Sequence, residues 1–154
     1  MDVNYINPIL EAFSNVIPQV GLGSVSRKGV AVKNGVIEGK GVVIILGIVG
    51  DIKGNIIYSI SMDSAKNIAS KMMMGMPVDE FNELAQSAIS ELTNMLTANV
   101  ATNFSNQGIN VNISTPALIH GDFSTNASTD KVICVTMAIE NDEVDVNISL
   151  EKTC

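Results

Sequence analysis

The chain has 154 residues, 46% of them apolar and 16% charged, which predicts a folded domain with an aliphatic core rather than a disordered chain. Its formal net charge of −7 argues against nonspecific binding to nucleic acid or anionic lipid, because both require a basic surface. The length fits a single domain over residues 1–154. No signal peptide or membrane-spanning run is found, so we expect a cytoplasmic protein.

The first half of the chain is predicted to form a helix followed by three strands. Apolar residues recur at helical spacing over residues 3–17, and Pro18 ends the pattern. Strands are expected over residues 24–33, 41–50 and 55–62. Asn34-Gly35 is typical of a hairpin turn and residues 51–55 supply a second turn, so we predict an antiparallel meander.

The second half is predicted to contain two helices and further strands. Asp63 is expected to cap a helix that ends at Gly75, and Asp79 or Asn82 to cap a long helix over residues 84–107. Strands are predicted at residues 111–113 with a continuation at 119–125, and over residues 131–139 and 144–151. The order α-βββ-αα-βββ, with antiparallel strands and helices packed on the sheet, defines an α+β fold.

The predicted long helix carries one charged residue within its length, Glu91. A rotation of about 100° per residue places its apolar side chains on one broad stripe, which must face the sheet. Ser87, Glu91 and Asn94 share a narrow stripe almost opposite, and Ala98 and Ala101 continue it. Glu91 has no cation three or four residues away to pair with it. This stripe is either a plain hydrophilic face or a docking face with a protruding carboxylate and amide.

Residues outside this stripe do not form a complete active site of a common type. A single carboxylate cannot perform two-carboxylate hydrolysis, and Asp122 and Asp130 have no fixed relation to Glu91. The only histidine, His120, has no accompanying serine motif, and Cys134 is expected to be buried in a strand. Phosphoryl transfer is compatible with so few groups, because positioning and charge stabilisation suffice, and a partner can supply the metal and the phosphorylated residue.

The spacing Ser87-x-x-x-Glu91-x-x-Asn94 resembles the signature of the CheC/CheX/FliY phosphatases of bacterial chemotaxis, and the resemblance spans roughly residues 3–150. It implies a CheC/CheX-like fold and a phosphorylated CheY-type response regulator as substrate. It further implies that Asn94 orients the hydrolytic water and that Glu91 pairs with the regulator's lysine. Ser87, Ala98 and Ala101 would contact the partner. The regulator would supply Mg²⁺, and the chain itself would need no metal or other cofactor.

The sequence of the first predicted helix indicates how many copies of the signature the chain carries. Two-site members of the resembled family carry a second signature there, whereas this chain offers Asn7, Glu11 and Ser14, with Asn15 one residue late. We therefore expect one site per chain, as in CheX-type members. The resemblance also implies a homodimer formed by joining sheets, and the strands at 131–139 and 144–151 are long enough to supply an edge.

An alternative to catalysis is a non-enzymatic adaptor that binds a response regulator or a flagellar motor component through the same helix face. A further alternative is a purely structural dimerisation module. The adaptor needs the small side chains at Ala98 and Ala101 but no chemistry at Asn94. The structural module needs neither.

Overall fold

The computed structural model of the protein describes residues 3–127 and 131–153. The described helices are α1 (Val3–Val16), α2 (Met62–Met72) and α3 (Glu83–Asn106), and a 3-10 turn, Pro18–Val20, follows α1. The strands are β1 (Val25–Lys33), β2 (Val36–Gly50), β3 (Ile52–Ser61), β4 (Val111–Ile113), β5 (Ala117–Asn126), β6 (Val132–Ile139) and β7 (Asp142–Lys152). None of the described helices is long and apolar enough to cross a membrane.

Within the described residues, seven strands form one antiparallel sheet in the order β1-β6-β7-β3-β2-β4, and β5 also pairs with β2. Strand β2 organises this sheet because it is 15 residues long and pairs with β3, β4 and β5. Alternate side chains of β2 are buried beneath the helices: Val42, Ile44, Leu46 and Ile48. The apolar run at residues 41–50 thus lies in β2, one strand in from the edge formed by β4 and β5, and contributes alternate side chains to the core.

The helices pack on one face of the sheet. Because strand side chains alternate between faces, β7 sends Val144, Val146 and Ile148 into the helix-covered core. The ring of Phe13 in α1 meets that of Tyr58 in β3 edge to face, with 5.8 Å between ring centroids. Helix α1 is therefore held against both the sheet and its neighbour α3.

The predicted α+β architecture is confirmed, as are the long helix, its Asn82 cap and the buried position of Cys134. The single strand predicted to begin at residue 111 is instead two strands, β4 and β5, separated by residues 114–116. Pro116 lies in this break, where a residue without a backbone N–H does not interrupt a ladder. The observed order is α-βββ-αα-ββββ.

The hairpin predicted at Asn34-Gly35 is wrong. A turn is present, since the backbone N–H of Val36 donates to Asn34 Oδ1 at 3.0 Å. Among the described residues, however, β1 pairs with β6, and β2 pairs with β5 from Val36 onward, so the strands flanking the turn are not neighbours. Asn34 and Gly35 favour a local turn in the backbone. The strands that pair with β1 and β2 lie far away in sequence, so the turn does not determine them.

The predicted cap of the second helix is also wrong. Ser61 caps α2, because its Oγ accepts a hydrogen bond from the backbone N–H of Ser64 at 3.2 Å. Strand β3 runs into α2 without a connecting loop, so the helix begins earlier than Asp63, which lies in the first turn.

The strands predicted at residues 131–139 and 144–151 correspond to β6 and β7. Each has a neighbour on both sides, β6 between β1 and β7, and β7 between β6 and β3. Although both strands are long enough, neither supplies a free edge for a dimer, because both sets of backbone hydrogen-bonding groups are already paired.

Candidate functional site

Helix α3 is fixed at both ends. At its start, Asn82 Oδ1 accepts from the backbone N–H of Ala85 at 3.0 Å, and Gln86 Nε2 donates to the carbonyl of Phe81 at 3.1 Å. At its end, Gly108 adopts a left-handed φ of 78°, and the next backbone N–H, of Ile109, donates to the carbonyl of Phe104 at 3.0 Å. The helix between these caps is a rigid support for its exposed side chains.

The predicted division of α3 into two faces is confirmed. The buried face consists mainly of apolar residues: Ala85, Ile89, Leu92, Leu96, Val100 and Phe104. Ser87, Glu91, Asn94 and Ala98 are exposed, and Ala101 is half-buried. A rise of 1.5 Å per residue separates the Cα atoms of Glu91 and Asn94 by about 4.5 Å along the helix axis. We call the line of Ser87, Glu91, Asn94, Ala98 and Ala101 the α3 face.

The two functional groups of the α3 face are not engaged within the part of the chain that the structure describes. Neither the carboxylate of Glu91 nor the amide of Asn94 has a hydrogen-bond or ion-pair partner there, whereas Asn82, Asn99 and Asn103 on or beside the same helix do. A free carboxylate beside a free amide can bind a cation and orient a polar group of another molecule. It cannot provide a nucleophile and a general base of its own.

Two residues of α3 are not singled out by the sequence pattern. Thr93 is 97% buried beside Asn94, and its hydroxyl donates to the carbonyl of Ile89 at 2.8 Å, while Thr97 donates to the carbonyl of Thr93 at 2.7 Å. Such hydroxyl bonds satisfy buried polar groups and bend helices slightly.

Leu84 is 63% exposed, and the helix rotation places it on the same side as Glu91. Extending the rotation by one turn toward the N-terminus identifies Leu84 from sequence.

The other candidate residues are not brought to the α3 face. His120 is exposed on β5 and contacts Phe81 edge to face, with 5.7 Å between ring centroids. Cys134 is buried in β6, and burial, followed by the nearby charge of Asp145, raises the pKa of its thiol. Asp130 lies outside the described residues. Within the described ranges, no three His, Cys, Asp or Glu residues are grouped to hold a metal ion.

A concavity of about 1180 Å³ lies away from α3. It is lined by the β1–β2 connection and by polar residues of β3 and β7, among them Lys33, Ser59, Asp145 and Asn147, and by no residue of α3. Small molecules bind in concave sites, whereas protein partners bind to flatter surfaces. This concavity is therefore separate from the α3 face.

The signature-like residues of α1 do not form a second site of the same kind. Glu11, Ser14 and Asn15 are exposed, but Asn15 Nδ2 donates to Asn99 Oδ1 of α3 at 2.9 Å. The amide that would have to reach a partner is therefore held against the neighbouring helix. This contact supports one site per chain.

Comparison with known proteins agrees with this geometry. Residues 42–139 match the family model described as chemotaxis phosphatase CheX. A Thermotoga maritima protein named CheY-P phosphatase CheX is 33% identical over 110 residues, 71% of each chain. The resemblance carried by Ser87, Glu91 and Asn94 is thus confirmed at the level of the family: the chain belongs to the CheX family of chemotaxis phosphatases.

Solved structures show the same fold. A CheC-like superfamily protein from a Shewanella species, strain PV-4, aligns with a TM-score of 0.85 at 23% identity, covering 98% of this chain and 99% of that chain. The CheX–CheY–BeF3–Mg²⁺ complex from Borrelia burgdorferi aligns with a TM-score of 0.78 at 25% identity, covering 96% and 98% of the respective chains.

Proposed function

We propose that this protein hydrolyses the aspartyl phosphate of a CheY-type response regulator in chemotaxis signalling. The observation that carries the proposal is that Glu91 and Asn94, in the spacing Ser87-x-x-x-Glu91-x-x-Asn94, lie on the exposed face of a capped helix and have no bonding partner among the described residues. The Thermotoga relative is named as a CheY-P phosphatase, and the Borrelia relative was solved in a complex with CheY. Both support the same substrate class.

In this proposal Asn94 orients the attacking water and Glu91 holds the complex in register. Phosphoryl transfer requires positioning and charge stabilisation more than covalent chemistry. The phosphatase therefore needs to contribute only one well-positioned amide to the chemical step. The carboxylate of Glu91 pairs with a lysine in the regulator's active site. The phosphorylated aspartate and Mg²⁺ belong to the regulator.

The remaining residues of the α3 face would lower the entropic cost of docking. Ser87, Ala98 and Ala101 are short, so little side-chain conformational entropy is lost when a partner covers them. Leu84 lies about 10 Å along the axis from Glu91, within the radius of a standard interface of about 800 Å² per partner. We include Leu84 in the docking surface as its apolar anchor.

Asn94→Ala should lower the rate of stimulated dephosphorylation about 10²- to 10³-fold, the loss of about 3–4 kcal/mol expected when one transition-state donor is removed. Phosphate release from the phosphorylated regulator in the presence of Mg²⁺ measures this rate. Asn106→Ala removes another exposed asparagine of α3 and should leave the rate unchanged. Phosphate release by Asn94→Ala at the wild-type rate would contradict catalysis at Asn94. A wild-type protein that binds the phosphorylated regulator without accelerating release would favour the adaptor.

Glu91→Ala should raise KM and the dissociation constant about tenfold or more, because the regulator's lysine loses its charged partner. Binding to the regulator loaded with BeF3 and Mg²⁺, titrated by fluorescence or calorimetry, gives the constant directly. Glu143→Ala removes an exposed carboxylate of β7, beside the concavity that lies away from α3, and serves as the matched control. Equal affinities for Glu91→Ala and wild type would exclude the proposed ion pair.

Leu84→Ser should raise KM about fivefold with little change in kcat, because it removes apolar area that only the complex buries. Val49→Ser is the matched control, since Val49 is 61% exposed, close to the 63% of Leu84, and lies on β2. Steady-state kinetics over a range of regulator concentrations separates the two parameters. A change confined to kcat, or an equal effect of both substitutions, would show that Leu84 is not an anchor.

We also propose a homodimer formed by joining sheets, with β1 as the joining edge. Strand β1 lies at one edge of the sheet, with β6 as its neighbour on the other side. Its Val30 and Val32 are 58% and 67% exposed. Val32→Lys should give a monomer in sedimentation equilibrium where the wild type is a dimer, because lysine on an edge strand opposes pairing. Val49→Lys should remain dimeric. A monomeric wild type, or a dimeric Val32→Lys variant, would rule out this edge.

A further inference from the structure

A network of side-chain amides joins α1 to α3 close to the α3 face. Asn99 Oδ1 accepts from Asn15 Nδ2 at 2.9 Å and from Asn103 Nδ2 at 3.1 Å. Asn103 is 92% buried, and its Nδ2 also donates to the carbonyl of Pro8 at 2.9 Å. Asn99 is therefore the acceptor shared by donors on two helices, five residues after Asn94 in the same helix.

These bonds differ in kind from the other contacts that hold α3. The buried face of α3 packs on the sheet through aliphatic side chains such as Leu92, Leu96 and Val100, and apolar contact has little directional preference. Hydrogen bonds weaken steeply when their angle departs from linearity. A small rotation of α3 about its own axis thus disturbs the hydrogen-bond network at Asn99 more than it disturbs the apolar contact.

The α3 face is sensitive to such a rotation. Side-chain tips lie about 5–6 Å from a helix axis, so a rotation of about 10° moves them about 1 Å. Misplacement on that scale is enough to lower a catalytic rate substantially. Within the described residues no side-chain bond steers Asn94 or Glu91. Their direction depends on the rotation of the helix that carries them.

We infer that Asn99 is a positioning residue that sets the rotation of α3 and thereby the direction of Asn94. This inference rests on the proposed phosphatase function. It also assigns a use to Asn15, the residue of α1 that falls one position late for a second signature. The amide of Asn15 does not serve a partner. It holds the neighbouring helix in the orientation that presents Asn94.

The test compares two substitutions at one position. Asn99→Leu keeps the side-chain volume similar but removes the shared acceptor, whereas Asn99→Asp retains carboxylate oxygens that accept from both Asn15 and Asn103. Asn67→Ala is the matched control, because Asn67 Nδ2 donates to Asp142 Oδ1 at 3.2 Å and so joins α2 to β7 rather than to α3. Thermal unfolding by circular dichroism establishes that each variant is folded at the assay temperature.

Asn99→Leu should lower kcat about tenfold with KM within about twofold of wild type, because the charge attraction of Glu91 tolerates a shift of about 1 Å whereas the orientation of the water by Asn94 does not. Asn99→Asp should restore kcat to within about threefold, and Asn67→Ala should leave both parameters unchanged. The inference is overturned if the kcat of Asn99→Leu is within twofold of the wild-type value. It is also overturned if Asn99→Asp has as low a kcat as Asn99→Leu, or if Asn67→Ala lowers kcat by the same factor.

Two further outcomes are decisive. If Asn99→Leu does not fold, Asn15→Ala removes one donor from an exposed position and should lower kcat about threefold at unchanged KM; an unchanged kcat overturns the inference. A wild type without stimulated phosphate release overturns the proposed function together with this inference, whereas an active wild type with a normal Asn99→Leu variant overturns the positioning role alone.

Discussion

The contact between the aliphatic side of α3 and the helix-covered face of the sheet decides which residues of that helix meet solvent. Ile89, Leu92, Leu96 and Val100 are all nearly inaccessible, and burying each such side chain contributes about 1.5–3 kcal/mol. Turning the helix over would expose them and bury the carboxylate of Glu91, which is far more costly without a partner. The composition of the α3 face follows from this one constraint.

A helix face defined in this way can lack a complete set of catalytic groups and still contribute to catalysis. The groups that a self-contained hydrolase needs, a nucleophile with its base or a set of metal ligands, are not brought together on α3. What α3 offers is a rigid position for a few short polar side chains. Such a surface is suited to completing the active site of another protein, because it places its polar groups on one helix and loses little side-chain entropy on docking.

Helix α1 contributes through its packing. Phe13 anchors it to Tyr58, and Asn15 reaches across to Asn99, so the first helix supports the third from the side. The apolar part of this contact supplies most of the stability. The amide part refines the direction that the apolar packing sets, because hydrogen bonds depend strongly on angle. The same pairing holds the side-chain N–H of Asn15 against α3.

The sequence by itself determined α3 and its two faces, because helical periodicity depends on residues within a few positions of one another; it left the N-cap open between Asp79 and Asn82. It identified the exposed line of Ser87, Glu91 and Asn94 for the same reason. Only the tertiary structure decided that β1 pairs with β6 across the sheet, and that Asn15 and Asn99 meet. Those pairings join residues far apart in the chain, and a local signal such as Asn34-Gly35 carries no information about which distant strand is the neighbour.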